Sequence, residues 1–309
     1  MTQRNARHEE ALTLRNLGMS YGAIARQLGY GNYPSAARYA VMAALRNQVS
    51  TTTVEVRQFG VEAEFYNITP SQAITALEAV GINVSYEGYT HTVMSHWKIV
   101  TDGSVTGRNT GQGTGLELVS PILKGEEGLL EMAKALDALD NAGGKVNTTC
   151  GLHVHIDTAG MGYTQRKNFF NSYTRNQLLM DRLVSVSRRN NTNYAKPYNA
   201  SNIEQYAEAA GEGNGYGSRT FTVNVNSLPK YGTLEIRQHQ GTLNSKKALA
   251  WVQMLLAIAK TASVTTSEEQ GLSTYSSVAV FLDAHNVDAT TKAFLLRREA
   301  QLNRVSVAA

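Results

Sequence analysis

The chain has 309 residues, of which 42% are hydrophobic and 17% charged, with one cysteine and a formal net charge of +4. This length is enough for one large domain or two smaller ones with a substantial core. No apolar run approaches the roughly 20 residues that span a bilayer, residues 1–10 are polar, and a lone cysteine cannot form an internal disulfide. We therefore expect a cytoplasmic protein that makes no membrane contact, with Cys150 buried.

The positive charge is concentrated near the N-terminus. Residues 1–50 contain six arginines and two glutamates, which account for the whole net charge, because the rest of the chain is balanced. An asymmetry of this kind is typical of an anion-binding appendage. We predict a basic helical unit over residues 1–50 and a second domain over residues 51–309.

Three short helices are predicted in the N-terminal unit. Apolar spacing indicates one helix that ends near Gly18, a second capped by Ser20, and a third over about residues 35–45. The run LRNLGMSYGAIARQLGY, followed by PSAARYAVMAAL, resembles the helix-turn-helix units of site-specific recombinases and small phage regulators. Two interpretations stay open, contact with nucleic acid and a docking or oligomerisation unit. Residues 49–56 are predicted to be a linker or an entering strand.

From Phe59 onward, strand patterns alternate with helical patterns. Period-two alternation predicts strands at residues 59–66, 114–121, 150–157, 219–226 and 232–239. A spacing of three to four predicts helices at residues 70–80, 126–141, 165–187, 201–210, 245–263, 274–285 and 290–303. We expect an α+β fold in which helices cover one face of a largely antiparallel sheet.

The polar residues of the strands alternate with apolar ones. Burying the apolar set would turn the following side chains to the opposite face: Glu62, Glu64, Glu117, His153, His155, Glu235, Arg237 and His239. Two carboxylates about 5 Å apart repel by roughly 3 kcal/mol at an effective dielectric near 20, so a cation must compensate. Divalent ions prefer carboxylate oxygen and tolerate imidazole, which makes nucleotide-bound Mg²⁺ the natural candidate.

Six segments in order resemble the amidoligase family of phages and bacteria: FGVEAEF, WKIVTDGSV, LELVSPIL, GKVNTTCGLHVHID, RTFTVNVNSL and GTLEIRQHQGTLN. The resemblance spans about residues 59–260, and the family is regarded as a relative of glutamine synthetase and glutamate–cysteine ligase. It implies a glutamine synthetase-like sheet with the active site on its open face. It also implies ATP-dependent joining of a carboxylate to an amine through an acyl phosphate, with Mg²⁺ or Mn²⁺, and the host cytoplasm as location if the gene is phage-encoded.

The resemblance assigns roles to individual residues. The implied metal ligands are Glu62, Glu64, Glu117, His153 and Glu235. Arg219 and Arg237 are implied to stabilise the transferring phosphoryl group. Nucleotide or substrate binding is implied for His155, Arg188, Arg189 and Asn226. Strand parity would put Arg219 on the apolar face, so we expect the strand to begin after it.

Three further features each have two interpretations. Asp102 binds substrate or nucleotide, or closes a D-G turn. Trp97 stacks on a base or packs in the core. The glycine-rich residues 211–217 form a lid that excludes water or an ordinary loop.

Two other functions remain as alternatives. The HVHID motif resembles the H-x-H of zinc enzymes and suggests a metal-dependent hydrolase, although carboxylates dominate the predicted site. The chain could also be a DNA-binding regulator with a non-catalytic, ligase-like body. The substrates, small molecules or peptides, and any homo-oligomer are not specified by these patterns.

Overall fold

The computed structural model describes residues 3–17, 19–38, 40–41, 44, 57–88, 90–106, 115–190 and 193–303. The chain divides into two compact units, Met1–Val54 and Glu55–Ala309. The functions assigned to the two predicted domains stay predictions, and the predicted linker at 49–56 lies outside the described residues. Among the described residues, no helix is both long and apolar enough to cross a membrane.

The first unit is helical. It contains α1 (Gln3–Asn16), α2 (Tyr21–Gln27) and a third helical segment made of the described residues 34–38, 40–41 and 44. Helix α2 begins where Ser20 Oγ accepts a hydrogen bond from the Ala23 N–H at 3.3 Å, as expected of a serine cap. The buried apolar side chains of this unit are Ala11, Leu12, Leu14, Ile24, Ala25, Leu28, Ala37, Ala40, Val41 and Ala44.

The second unit is built on one eight-stranded sheet, and it confirms the predicted α+β fold with a largely antiparallel sheet. The strands are β1 (Gln58–Phe65), β2 (Val84–Gly88), β3 (Trp97–Asp102), β4 (Gly115–Val119), β5 (Leu123–Lys124), β6 (Gly151–Asp157), β7 (Val223–Asn224) and β8 (Thr233–Gln240). Their order is β2-β3-β4-β1-β6-β8-β7, with β5 paired to β1. Only the β2–β3 pair is parallel among these pairings.

The helices of the second unit follow the predicted spacing closely at most positions. They are α3 (Pro70–Glu78), α4 (Gly125–Asn141), α5 (Tyr163–Thr174), α6 (Gln177–Asp181), α7 (Ile203–Glu212), α8 (Ser227–Tyr231), α9 (Ser245–Val264), α10 (Glu268–Gly271), α11 (Val278–Ala284) and α12 (Ala289–Leu302). Helix α9 contacts α4, α5 and β6, so it lies against the apolar side of the sheet.

Two predicted elements are wrong in extent. The helix predicted over 165–187 is broken into α5, α6 and a 3₁₀ turn at Val186–Arg188. The strand predicted over 219–226 is reduced to the two residues of β7; just before it, the Thr222 N–H donates to the Lys196 carbonyl and the Thr222 carbonyl accepts from the Arg237 N–H of β8. A local alternation of residues therefore does not by itself supply the hydrogen-bonding partner that a strand needs.

A β-bulge corrects the predicted orientation of His239. Val154 pairs with Ile236, but Leu152 pairs with His239, so β8 contains one extra residue between these two pairs. The extra residue reverses the side to which the following side chain points. His239 is therefore 4% exposed, and its ring centroid lies 5.0 Å from that of Trp251 in α9, away from the acidic face.

Candidate active site

Strand register brings the predicted acidic and imidazole side chains to one face of the sheet. Glu62 pairs with His153 across β1 and β6, and Glu64 pairs with Glu117 across β1 and β4. On the next strand, His155 pairs with Glu235. Because paired residues of neighbouring strands point to the same face, alternation along each strand and the pairing between strands lead to a single cluster.

The cluster contains two overlapping groups of metal-ligating type. One consists of Glu62, His153 and Glu235, and the other of Glu64, Glu117 and His153, with the ligand atoms of each group within 4.8 Å of one another. His153 joins them, because its Nδ1 lies 3.2 Å from Glu62 Oε2 and its Nε2 lies 3.7 Å from Glu64 Oε1. His153 Nδ1 also lies 3.8 Å from Glu235 Oε1. All five predicted metal ligands are thus close together.

The electrostatics of the cluster divide the carboxylates into two kinds. Burial raises the pKa of Glu62, but hydrogen bonds from His153 and His155 outweigh it and hold that pKa well below its usual range. For Glu235, burial is likewise outweighed by the Arg237 charge, and the pKa is lowered. The pKa of Glu117 is raised well above its usual range by burial and by the charges of Glu62 and Glu64. The Arg237 charge lowers the pKa of Glu117 but does not outweigh these effects.

The raised pKa of Glu117 and the chemistry of the donor atoms together test whether this cluster suits a divalent ion. The donors are carboxylate oxygens and imidazole nitrogens in two convergent groups, and a carboxyl whose ionisation is opposed by its neighbours lies among them. Mg²⁺ and Mn²⁺ favour oxygen-rich donor sets, whereas structural zinc sites rely on cysteine and histidine. The residues present fit one or two hard divalent ions.

His155 is oriented by a hydrogen bond behind it. Its Nδ1 lies 2.9 Å from Thr233 Oγ1, and its Nε2 lies 3.5 Å from Glu62 Oε1. Burial lowers the pKa of His155, but the hydrogen bond with Glu62 and the Glu235 charge raise it above its usual value overall. His155 therefore lies beside the cluster, and its surroundings favour the protonated, positively charged ring.

The sequence analysis did not identify Asn224, which holds a carboxylate of the cluster. Asn224 Nδ2 donates to Glu235 Oε2 at 2.6 Å, whereas the predicted Asn226 Nδ2 donates to the Gly217 carbonyl at 3.1 Å. Both asparagines line a cavity of about 560 Å³ above the cluster. Through its hydrogen bond to Gly217, Asn226 fixes the glycine-rich loop beside this cavity. Asn224 and Asn226 are two residues apart in VNVN, so strand alternation could have predicted that both face the same side of the sheet.

Three of the predicted arginines line this cavity. Arg237 pairs with Glu235, Arg219 is exposed, and Arg188 is 2% exposed with a buried Nε that has no hydrogen-bond partner. Burial lowers the pKa of the Arg188 guanidinium. A buried cation with an unsatisfied N–H that lines a polar cavity is available to an anionic ligand.

Arg189 is not part of the cavity, which corrects the paired assignment of Arg188 and Arg189. Its guanidinium donates to the Val184 carbonyl at 3.0 and 3.1 Å, and to the Leu302 carbonyl at 3.4 Å. The 3₁₀ turn explains the difference, because consecutive residues on a tight helical turn point in different directions. Arg189 thus ties the turn to the end of α12.

Trp97, Asp102 and Cys150 have clearly different surroundings. Trp97 is 1% exposed and its Nε1 donates to Glu131 Oε1 of α4 at 2.6 Å, so it packs in the core. Asp102 closes a turn by accepting from the Ser104 N–H at 2.7 Å, and it also lines the cavity. Cys150 is buried as predicted, and burial raises the pKa of its thiol to about 11.

Two adjoining cavities meet at the cluster. The larger, which we call the polar cavity, has a volume of about 560 Å³ and is lined by the cluster and the three arginines. The smaller, which we call the apolar cavity, has a volume of about 320 Å³; Phe59, Val61, Val93, Val119 and Ile122 line it, together with the charged side chains of Lys98, Asp157 and Lys230. Glu62, Glu117 and His155 line both cavities. The two cavities therefore adjoin at Glu62, Glu117 and His155, which we call the wall between them.

Lys98 supports the segment that covers this boundary. Its side chain is 4% exposed, and Nζ donates to the carbonyls of Thr92 at 2.5 Å and Thr90 at 3.2 Å. Tyr231 Oη donates to the His91 carbonyl at 3.1 Å. Thr90 and His91 line both cavities, so residues 90–92 are fixed over the cluster from two sides. In the sequence, a lysine between the apolar residues Trp97 and Ile99 could have indicated a side chain on the polar face of this strand.

Comparison with known proteins identifies the family. A family described as "Putative amidoligase enzyme" matches residues 55–218, which is more than half of the chain. One solved structure with a related arrangement, titled "GmaS/ADP complex-Conformation 1", is 12% identical, covers 86% of this chain and 72% of that chain, and has a TM-score of 0.40. No curated protein matches in sequence. The family match includes β1, β4 and β6, which carry four of the five clustered ligands, and on this basis the chain belongs to the amidoligase family.

Proposed function

We propose that this protein is an ATP-dependent ligase that joins a carboxylate to an amine through an acyl phosphate, with two divalent metal ions at the acidic cluster. The observation that carries the proposal is the pair of ligand groups that share His153. Two adjacent cation sites suit phosphoryl transfer from ATP, because both the nucleotide and the acceptor carboxylate are anions that must approach each other. The family membership of the chain supports the same reaction class.

The ligand groups fit Mg²⁺, with Mn²⁺ as a substitute. Glu62, His153 and Glu235 would hold one ion, and Glu64, Glu117 and His153 the other. A bound divalent ion would neutralise phosphate and carboxylate charge during the transfer. Asn224 and Arg237 would keep Glu235 ionised and oriented for this role, since both contact its carboxylate.

The two cavities suggest where each reactant binds. The apolar cavity would take the base and ribose of ATP, which places the phosphates at the wall formed by Glu62, Glu117 and His155. The polar cavity would take the carboxylate substrate, because the guanidinium groups of Arg188, Arg219 and Arg237 line it. Buried Arg188 would contact a substrate anion directly.

The reaction has two balanced steps. A carboxylate oxygen attacks the γ-phosphorus of ATP, the bond to the β–γ bridging oxygen breaks, and ADP leaves with that electron pair. The amine nitrogen then attacks the acyl carbon, the bond from carbon to the phosphate oxygen breaks, and inorganic phosphate leaves as the nitrogen loses a proton. Arg237 and Arg219 would stabilise charge on the phosphoryl oxygens, and the glycine-rich loop fixed by Asn226 would restrict water.

Trapping the activated carboxylate tests the reaction without knowledge of the amine. The protein is incubated with ATP, Mg²⁺, pools of carboxylates and hydroxylamine, and ADP and hydroxamate are measured. We expect both products in equal amounts, and their loss by about 100-fold or more in Glu64→Gln and Glu235→Gln, the scale expected for a lost charge-stabilising group. Glu127→Gln, on the exposed start of α4, is the matched control.

Three results would contradict the proposal. Turnover that survives both substitutions would overturn the metal assignment. Bound zinc with hydrolysis and no nucleotide use would support the hydrolase alternative. Sequence-specific DNA binding without any ADP release would support the non-catalytic regulator.

A further inference from the structure

The first unit lacks acidic residues over most of its length. Between Glu10 and Glu55 the sequence contains no aspartate or glutamate, but it contains Arg15, Arg26 and Arg38, among others. The second unit is nearly balanced in charge, so the net positive charge of the chain belongs to the first unit. A stretch with arginines and no acidic side chain attracts a polyanion, because it contains no negative charge that would repel one.

The fold of the unit leaves its polar side chains for contact. The leucine, isoleucine and valine side chains of its described helical residues are buried. Arg26 and Gln27 of α2 are exposed, Tyr33 is 70% exposed just before the third helical segment, and Ser35 of that segment is exposed. Arg38 is half-buried in the same segment. The outer surface of α2 and the third segment therefore carries hydrogen-bonding and cationic groups.

The junction between α1 and α2 is held by side-chain contacts. Arg15 Nη1 donates to the Met19 carbonyl at 3.1 Å, and the guanidinium carbon of Arg15 lies 4.6 Å from the centroid of the Tyr21 ring. Ser20 caps α2 in the same turn. A surface supported in this way loses little conformational entropy when it binds a partner.

We propose that this first unit binds double-stranded DNA through α2 and the third helical segment. The inference is independent of the ligase reaction proposed for the second unit. The major groove of B-form DNA admits an α-helix, whereas that of A-form RNA is too deep and narrow for side chains to read. A membrane surface fits less well, because Leu17 is the only exposed leucine, isoleucine or valine among the described residues of this unit. Arg26 and Arg38 contact phosphates, and Tyr33 and Ser35 face the groove.

Salt-dependent binding of the full chain to DNA tests this proposal. The anisotropy of a fluorescein-labelled duplex of about 30 base pairs is titrated with protein between about 50 and 200 mM salt. We expect affinity to fall with salt, and Arg26→Gln and Arg38→Gln each to reduce the slope of log K against log[salt] by about 1. Arg297→Gln, an exposed arginine of α12 in the second unit, is the matched control and should leave the slope unchanged.

The same titration is repeated with an RNA duplex and with vesicles that contain anionic lipid. Tighter binding to either probe than to DNA overturns the proposal, as does salt-independent binding or an equal loss in Arg297→Gln. Hydroxamate formation by the Arg26 and Arg38 variants should equal that of the wild type. A chain that binds DNA but lacks ATP turnover would contradict the ligase proposal alone, so the two failures are distinguishable.

Discussion

Glu64 and Glu117 are directly opposed across β1 and β4, with their Cα atoms paired in register. Such pairs bring side chains within about 5 Å, and like charges in this arrangement are destabilising. The sheet thus holds two carboxylates together at a cost to its own stability, which is a common property of ion-binding and catalytic sites.

Replacing Glu117 by glutamine should stabilise the protein in the absence of metal. The change removes a charge that burial and Glu62 oppose, and we expect an increase of about 1–3 kcal/mol in the free energy of unfolding at neutral pH. Thermal unfolding in EDTA should show a Tm higher by several degrees. Added Mg²⁺ should raise the Tm of the wild type and have little effect on Glu117→Gln.

The pH dependence of this difference has a definite sign. A carboxyl whose pKa is raised in the folded state supports folding while protonated, and this contribution is lost as pH rises through that raised pKa. The advantage of Glu117→Gln in EDTA should therefore grow from acidic to neutral pH. An advantage that shrinks over this range would contradict the assigned electrostatics, and Glu127→Gln should show no comparable change.

Arg188 and Arg189 should respond oppositely to the same substitution. Arg188→Met removes a buried guanidinium whose Nε has no partner, so we expect the stability to hold or increase and ligase turnover to fall by about 100-fold. Arg189→Met removes hydrogen bonds to two backbone carbonyls, so we expect a stability loss of about 1–2 kcal/mol with turnover retained. Urea unfolding and hydroxamate formation are measured on both variants.

If Arg189→Met lost turnover and Arg188→Met lost only stability, the anion-binding group would be Arg189, and our assignment to Arg188 would be wrong. Equal loss of turnover in both variants, with equal loss of stability, would indicate that the 3₁₀ turn as a whole is structural. Rescue of Arg188→Met by a higher concentration of the carboxylate substrate would locate the defect in substrate binding.

His239 should make the protein sensitive to acid. Burial lowers its pKa from 6.5 to about 3, so below pH 6.5 the unfolded chain binds a proton that the folded chain does not. Stability from this residue should decline between about pH 6.5 and 3, by about 1.4 kcal/mol per unit at most. Urea unfolding of His239→Phe should show a shallower decline over this window, and an unchanged slope would contradict the buried neutral state.

Lys98→Met should loosen the segment over the wall between the cavities. The substitution leaves the Thr90 and Thr92 carbonyls without their ammonium donor, while the Tyr231 contact with His91 remains. We expect the KM for ATP to rise by about 10-fold, the effect of roughly 1.4 kcal/mol of binding energy, with a smaller change in kcat. Lys124→Met, exposed on β5, is the control. A fall in kcat at unchanged KM would instead place Lys98 at the reacting groups.

Much of the acidic face could be predicted because a strand alternates its side chains strictly. Once Val61 and Ala63 are assigned to the interior, Glu62 and Glu64 must lie on the other side, and the same rule orients His153 and Glu235. This local rule needs no knowledge of distant contacts. It failed at His239, where an extra residue in β8 interrupts the alternation.

Local pattern was sufficient for the type of each element that was predicted, for most of the acidic face and for the family, but it did not predict β2, β3 or β5. Long-range contacts were needed to distinguish Arg188 from Arg189, to place Asn224 on Glu235, to place Lys98 on the carbonyls of Thr90 and Thr92, and to shorten β7. The physical reason is that hydrogen-bond partners and cavity walls come from segments far apart in sequence. Their relative positions depend on strand register, bulges and tight turns, which the periodicity of any single segment does not contain.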